Sequence, residues 1–159
     1  MLYVICYVLA MTLANISVSV FGPAASPVNA FLLIGLDMAI RDKLHDKWVD
    51  NNIFLRMLGM ISFAGAVSYA ANPSSGVVAI ASVVSFLASN AIDAATYHLM
   101  REKPYITRAN GSNAFGAAVD SFAFPAIAFG AFTPAVVIAQ FAAKVLGGAL
   151  WSLFLKRFN

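Results

Sequence analysis

The sequence predicts an all-α membrane protein with six transmembrane helices. Apolar residues make up 61% of its 159 positions and charged residues only 11%, which is too apolar a composition for a soluble domain of this size. Apolar runs long enough to cross a bilayer recur along the whole chain and leave no room for a soluble domain. Basic residues are confined to a few short segments, as in cytoplasmic loops. We therefore expect one transmembrane domain over residues 1–159.

The predicted spans are apolar runs of about 17 to 25 residues. They cover residues 1–20, 25–42, 53–71, 76–99, 111–132 and 134–155. The first run has no basic residues ahead of it and is long enough to span, so we interpret it as a retained helix rather than a signal peptide. Pro and Gly mark the short connections after the first, third and fifth spans. These connections predict three antiparallel helix hairpins.

The distribution of charge predicts the orientation of the chain. The connections after the first, third and fifth spans carry no charge, whereas the other two and the C-terminal segment hold nine of the ten Lys and Arg residues. Because cytoplasmic loops are rich in basic residues, we expect both termini in the cytoplasm and the protein in an inner membrane. The same pattern makes nucleic-acid binding a poor interpretation of the net charge of +3.

The fifth span has polar residues that a simple membrane anchor does not need. Its sequence, SNAFGAAVDSFAFPAIAFG, places Asp120 near the middle of the bilayer, where a charged side chain costs roughly 2.5 to 3.5 kcal/mol. Asn113, Asp120 and Phe124 fall on one helical face, and Gly116 beside them allows a neighbouring helix to approach closely. We expect this face to form one wall of a polar pocket.

The sixth span offers a partner for Asp120. Lys144 lies about 11 residues from the turn at Thr133 and Asp120 about 13, so both lie roughly 16 to 20 Å from that turn on adjacent helices. We predict that the two pair directly or share a ligand, with a purely structural ion pair as the alternative. Gln140 and Trp151 lie on or near the same stripe as Lys144, although Trp151 could equally belong to an interfacial aromatic belt.

Polar residues of two further spans allow a functional and a structural interpretation. In the fourth span Asn90, Asp93 and Tyr97 share a face, and Asp93 is either a ligand or proton site or a partner of a basic loop residue. In the second span Asp37 and Arg41 most simply mark a helix end leaving the membrane, with a cytoplasmic gate as the alternative. A short repeat places Asn-Ala at three positions, beginning at residues 29, 90 and 113.

Catalysis is not indicated by the residues. The serines lack the spacing of a nucleophile elbow, and the two histidines have no nearby acid at a metal-binding spacing. The single cysteine, Cys6, excludes a disulfide framework within one chain. We expect no enzyme activity, no cofactor and no metal.

Two stretches of the chain form longer motifs: GPAASPVNAFLLIGLDMAIRDKLHDKW after the first span and SNAFGAAVDSFAFPAIAFG in the fifth. Together they resemble the VUT family, the vitamin uptake transporters that include the queuosine-precursor transporter. Within them the resemblance depends most on Asn113, Gly116, Asp120, Ser121 and Phe124 after Arg108, and on Asp37, Arg41 and Asp42. The likeness extends from about Asn15 to Lys144. It implies a six-helix importer of 7-cyano-7-deazaguanine or a close deazapurine with no ATPase of its own, and the short length would suit a phage-encoded copy.

The polar residues complement such a planar heterocycle. A guanine-like edge presents a ring N–H and an amine that a carboxylate accepts, and its carbonyl needs an amide or ammonium donor. The expected substrate-binding residues are Asn113, Asp120, Phe124, Gln140, Lys144, Asn90 and Asp93, and Phe122, Phe124 and Trp151 are candidates for stacking on the ring. Asp93 and Asp120 are the candidates for a proton site.

Two alternatives to this importer follow from the same residues. The polar set also suits a pterin-like or flavin-like edge, as in a substrate-binding membrane subunit for another heterocyclic vitamin. A non-transport membrane protein would instead form homo-oligomers through small residues, namely Gly59, Gly65, Gly147 and Gly148.

Overall fold

The computed structural model describes residues 1–48, 52–131 and 133–157, and this part of the chain is helical and contains no strand. Its α-helices are α1 (Leu2–Phe21), α2 (Ser26–Asn29), α3 (Gly35–Trp48), α4 (Ile53–Ala71), α5 (Gly76–Leu99), α6 (Tyr105–Phe129) and α7 (Pro134–Lys156). Short 3₁₀ turns at Gly22–Ala25 and Pro73–Ser75 connect α1 to α2 and α4 to α5. Pro at the start of α7 suits the first helical position, where no backbone N–H is needed.

The second predicted span is one continuous rod with an irregular centre. Between α2 and α3 lies a π-helical segment, Ala30–Ile34. We call α2, this segment and α3 together the second rod. Single π-helical turns of this kind are frequent at functional sites. The indole Nε1 of Trp151 on α7 donates a hydrogen bond to the backbone carbonyl of Leu32 within the segment, at 3.0 Å.

The second rod and the five long helices α1, α4, α5, α6 and α7 form a closed ring, and we call these six elements the six rods. α1 packs against α4, α4 against α5, α5 against α6, α6 against α7, α7 against the second rod, and the second rod against α1. Each of the three predicted hairpins is therefore a pair of neighbours in the ring. An apolar core that includes Tyr7, Met11, Ile40 and Ile61 fills the space between α1, the second rod, α4 and α5.

Glycines allow several of these helices to meet backbone to backbone. A Cβ added at Gly147 would lie 2.1 Å from the Phe31 carbonyl oxygen, and one added at Gly35 would lie 2.6 Å from the backbone of Gly147. A Cβ at Gly65 would clash with Val83 on α5. Of the four glycines predicted for an oligomer contact, Gly59 is the one at which an added Cβ would meet nothing within 4 Å. A Cβ added at Gly148 would lie 4.0 Å from the Met38 side chain.

The outside of the ring is apolar, and polar side chains are buried inside it beside the apolar core. Large apolar side chains such as Phe63, Ile80, Ile138 and Leu146 are 60% or more exposed, whereas carboxylates, amides and hydroxyls are buried. This is the reverse of a soluble protein and suits contact with lipid.

Four stretches are long and apolar enough to cross a membrane: Leu2–Trp48, Ile53–Ala71, Pro73–Leu99 and Pro134–Lys156. The first of them contains both α1 and the second rod. α6 is not among the four because polar residues in its middle lower its mean hydropathy. The protein is thus a helical membrane protein, while six spans and two cytoplasmic termini remain predictions.

Candidate functional site

The interior of the ring contains a buried ion pair between α6 and α7. Lys144 Nζ lies 2.7 Å from Asp120 Oδ2, and both side chains are almost inaccessible to solvent. The same ammonium donates hydrogen bonds to Ser121 Oγ at 3.2 Å and to Gln140 Oε1 at 3.1 Å. The pairing and the equal depth of the two residues were predicted from the helix lengths, and the structure contains both.

A cavity of about 30 Å³ lies against this ion pair, and we call it the central cavity. Its walls come from α1, the second rod, α5, α6 and α7. They are formed by Ala14, Asn15, Val18, Ser26, Asn29, Ala30, Ile34, Ser82, Phe86, Asp120, Phe124, Gln140 and Lys144. Three buried polar atoms on these walls have no hydrogen-bond partner within the described part of the chain: Asp120 Oδ1, Gln140 Nε2 and Ser26 Oγ. The cavity therefore offers a free acceptor, a free amide donor and a hydroxyl.

Two buried asparagines beside the central cavity, Asn15 on α1 and Asn29 on the second rod, were not among the site residues predicted from the sequence. Asn15 accepts a hydrogen bond from Ser82 Oγ at 2.5 Å and donates one to Ser68 Oγ at 3.1 Å, so it connects three helices. Asn29 of the second rod donates to the Ala14 carbonyl at 3.3 Å. A lone amide within an otherwise apolar run was the available signal for Asn15, and the Asn-Ala repeat was the signal for Asn29.

A second cavity of about 10 Å³ lies beside the central cavity, with Ile34, Phe86 and Asp120 common to both. Its other walls include Asp37, Arg41, Ser89 and Gly116. The interpretation of Asp37 and Arg41 as a helix end leaving the membrane is not supported, because Asp37 is only 1% exposed and Arg41 only 4%.

Arg41 is directed toward α5 rather than toward its own helix. Its NH1 atom donates hydrogen bonds to Ser89 Oγ at 3.4 Å and to Asn90 Oδ1. Asn90 and Asp93 line a third, mostly apolar cavity of about 120 Å³, together with His45 and with Arg41, which also lines the second cavity. These two predicted site residues therefore lie apart from the four that line the central cavity.

Gly116 has the role expected of it. A Cβ at this position would lie 3.2 Å from Asp93 Cβ and 3.4 Å from the Ser89 carbonyl oxygen, so the missing side chain lets α5 approach α6.

The structural interpretation of Asp93 was a pair with a basic loop residue such as Arg101. Among the ion pairs of residues 1–48, 52–131 and 133–157, none joins Asp93 to Arg101.

A charged cluster occupies the end of the ring where α3, α5 and α6 meet. The Tyr97 hydroxyl donates to Asp46 Oδ1 at 2.9 Å, and Arg108 pairs with the same carboxylate at 3.2 Å. The Arg108 guanidinium also lies over the Tyr97 ring, 4.2 Å from its centroid. Tyr97 therefore belongs to this cluster rather than to a pocket shared with Asn90 and Asp93. We call this the charged end.

The remaining predicted residues divide between the inside and the outside of the ring. Asn113 donates a hydrogen bond to Asp42 Oδ2 at 2.8 Å and lines neither cavity beside Asp120. Phe124 lines the central cavity, whereas Phe122 is 54% exposed. Trp151 lies between α7 and the second rod, outside the central cavity. Of the three candidates for stacking, only Phe124 is in position.

Comparison with known proteins assigns a family. The model of a family described as vitamin uptake transporters matches residues 2–156, which is nearly the whole chain. No curated protein and no solved structure matches the chain. The family match confirms the resemblance found in the two motifs, and the description of the family is that of a transporter.

Proposed function

Because the chain belongs to the vitamin uptake transporter family, we propose that it imports a queuosine precursor such as 7-cyano-7-deazaguanine across an inner membrane. In this proposal all six rods span the bilayer and both termini lie in the cytoplasm. The observation that most favours a heterocyclic substrate is the group of unpaired polar atoms on the central cavity, next to the Asp120 and Lys144 ion pair.

The proposed recognition uses the free atoms of Asp120 and Gln140. Asp120 Oδ1 accepts from the ring N–H and the exocyclic amine of the heterocycle, while Lys144 holds the other oxygen and keeps the carboxylate ionised. Gln140 Nε2 donates to the ring carbonyl. Phe124 and Phe86 supply apolar surface for the flat ring.

The central cavity is much smaller than a typical ligand site of roughly 300 to 1,000 Å³, because its volume is only about 30 Å³. A heterocycle therefore does not fit until side chains of the wall move apart. Phe124 lines the cavity and packs its ring edge-to-face against Phe129. In this proposal the two rings move to admit the substrate, and the site then closes around it.

A binding experiment tests this proposal. The thermal melting temperature of the detergent-purified protein is measured with 7-cyano-7-deazaguanine, guanine, riboflavin or buffer. We expect stabilisation that rises with the concentration of the deazaguanine, as mass action requires. The Gln140→Met variant keeps the ion pair and should bind about tenfold more weakly, as expected for one lost hydrogen bond.

The control is Asp46→Asn, which removes an ion pair at the charged end, far from the central cavity. It should retain the full response to the ligand. A response to riboflavin alone would favour the substrate-binding subunit for another vitamin. No response to any heterocycle in a folded protein would refute the proposed substrate class.

The oligomeric alternative receives less support from the packing. Gly65 and Gly147 are used for helix contacts within one chain, and Gly148 faces Met38, so only Gly59 of the four is open for a second copy. A stripe of small residues that is already covered does not need a partner chain.

A further inference from the structure

Asp37 is a buried carboxylate that the proposed recognition of substrate does not use. It lies in the first turn of α3, is 1% exposed and lines the second cavity together with Arg41 and Asp120. Neither of its oxygens accepts a hydrogen bond from any residue in 1–48, 52–131 or 133–157. This distinguishes Asp37 from Asp42 and Asp120, each of which has at least one direct partner.

The charged and titratable groups around Asp37 come from every side of the second cavity. They are Tyr7 on α1, Arg41 on the same helix, Asp120 on α6 and, through its pair with Asp120, Lys144 on α7, while Asp93 on α5 acts on Arg41. Arg41 directs its NH1 donors to Ser89 and Asn90, and Lys144 is engaged by Asp120. Neither cation therefore forms an ion pair with Asp37.

An ionised carboxylate in this position is disfavoured, because burying a charge without hydrogen-bond donors costs more free energy than protonating the carboxyl group. Burial is the largest effect; the Arg41 guanidinium favours the ionised form but is outweighed by burial, and the neighbouring Asp120 adds repulsion that disfavours it. By contrast, the Lys144 ammonium lies 2.7 Å from Asp120 Oδ2 and pairs with it directly. The two carboxylates that line the second cavity thus differ, because Asp37 has no direct cationic partner among the described residues.

We propose that Asp37 is a proton-binding site that couples proton movement to transport, an inference that rests on the proposed function. Asp37 takes a proton from water on one side of the membrane, forming an O–H bond, and holds it while the second cavity is closed. When the transporter opens toward the other side, water reaches the carboxylate, the O–H bond breaks and the proton leaves. Because Asp120 lines both cavities, substrate and proton occupy adjacent sites.

Transport in proteoliposomes tests the coupling. The vesicles contain a fluorescent pH indicator, and 7-cyano-7-deazaguanine is added outside with or without a pH gradient. The wild type should accumulate the compound when the outside is acidic and should bring protons in with it. Asp37→Asn should still exchange the compound between the two sides but lose both the accumulation and the proton influx.

The matched control is Asp42→Asn, on the same helix and equally buried. Its new amide oxygen still accepts the hydrogen bond from Asn113, so coupling should persist. Accumulation driven by pH in Asp37→Asn, its loss in Asp42→Asn as well, or wild-type uptake without proton influx would each overturn the proposal.

A second measurement on the wild type does not depend on the folding of a variant. Dicyclohexylcarbodiimide reacts with protonated carboxyl groups in apolar surroundings, and mass spectrometry locates the modified residue. We expect modification of Asp37 and none of Asp120. Modification of Asp120 with Asp37 untouched would overturn the inference even if transport is confirmed, whereas absence of any exchange of the compound would refute the proposed function alone.

Discussion

Removing the carboxylate of the buried ion pair should destabilise the protein strongly. Asp120→Asn leaves the Lys144 ammonium inside the ring with only two neutral partners, Ser121 Oγ at 3.2 Å and Gln140 Oε1 at 3.1 Å. Breaking a buried pair by removing one partner costs about 3 to 5 kcal/mol. Because two hydrogen bonds remain, we expect a loss near the lower end, about 3 kcal/mol, or about 100-fold in the folding equilibrium.

The assay is reversible unfolding of the purified protein in mixed micelles, titrated with a denaturing detergent. The double variant Asp120→Asn with Lys144→Met should recover most of the loss, because it leaves no uncompensated charge. Asp46→Asn removes the more exposed pair with Arg108 and should cost at most about 1 kcal/mol. Equal losses of unfolding free energy in Asp120→Asn and Asp46→Asn would refute the reasoning, since they would mean that water reaches the inner ion pair as readily as the outer one.

Two further changes test the packing and the polar contacts. Gly147→Ala should lower the free energy of unfolding by about 1 to 3 kcal/mol in the same titration, because its Cβ would lie 2.1 Å from the Phe31 carbonyl oxygen. The control Gly59→Ala adds a Cβ that meets nothing within 4 Å and should not destabilise the protein. Equal effects of the two changes would contradict the close contact between α7 and the second rod. Asn113→Ala should cost about 1 to 3 kcal/mol by removing the donor to the buried Asp42 carboxylate, and a loss below about 0.5 kcal/mol would show that the 2.8 Å bond does not form.

The sequence was most informative where helix geometry alone decides the outcome. Counting residues from the turn near Thr133 was enough to place Asp120 and Lys144 at one depth, because the rise per residue of a helix is constant. The need for a small residue at Gly116 followed from the same regularity, and Asp93 does approach it. Both predictions depend on distances along or between neighbouring helices.

The sequence was less informative about which face of a helix is inward. Gln140, Lys144 and Trp151 were assigned to one stripe, yet Gln140 and Lys144 line the central cavity while Trp151 contacts the second rod. Periodicity relates residues of one helix but does not orient that helix in a ring. Asp37 was mistaken for a helix end because a mixed run of charges follows it, and local charge carries no information on burial by other rods.

The π-helical segment of the second rod sets the direction in which the side chains of α3 point. A regular helix turns by about 100° per residue, so Asn29 and Asp37, eight residues apart, would point about 80° away from each other. A π turn accommodates one additional residue, which reduces the difference to about 20°. The same side of the rod can then serve the central cavity through Asn29 and the second cavity through Asp37. Deleting one residue from Ala30–Ile34 would therefore make the segment a regular helix without changing the direction of Asp37, whereas straightening it with all its residues present would rotate every side chain of α3 by about 100°.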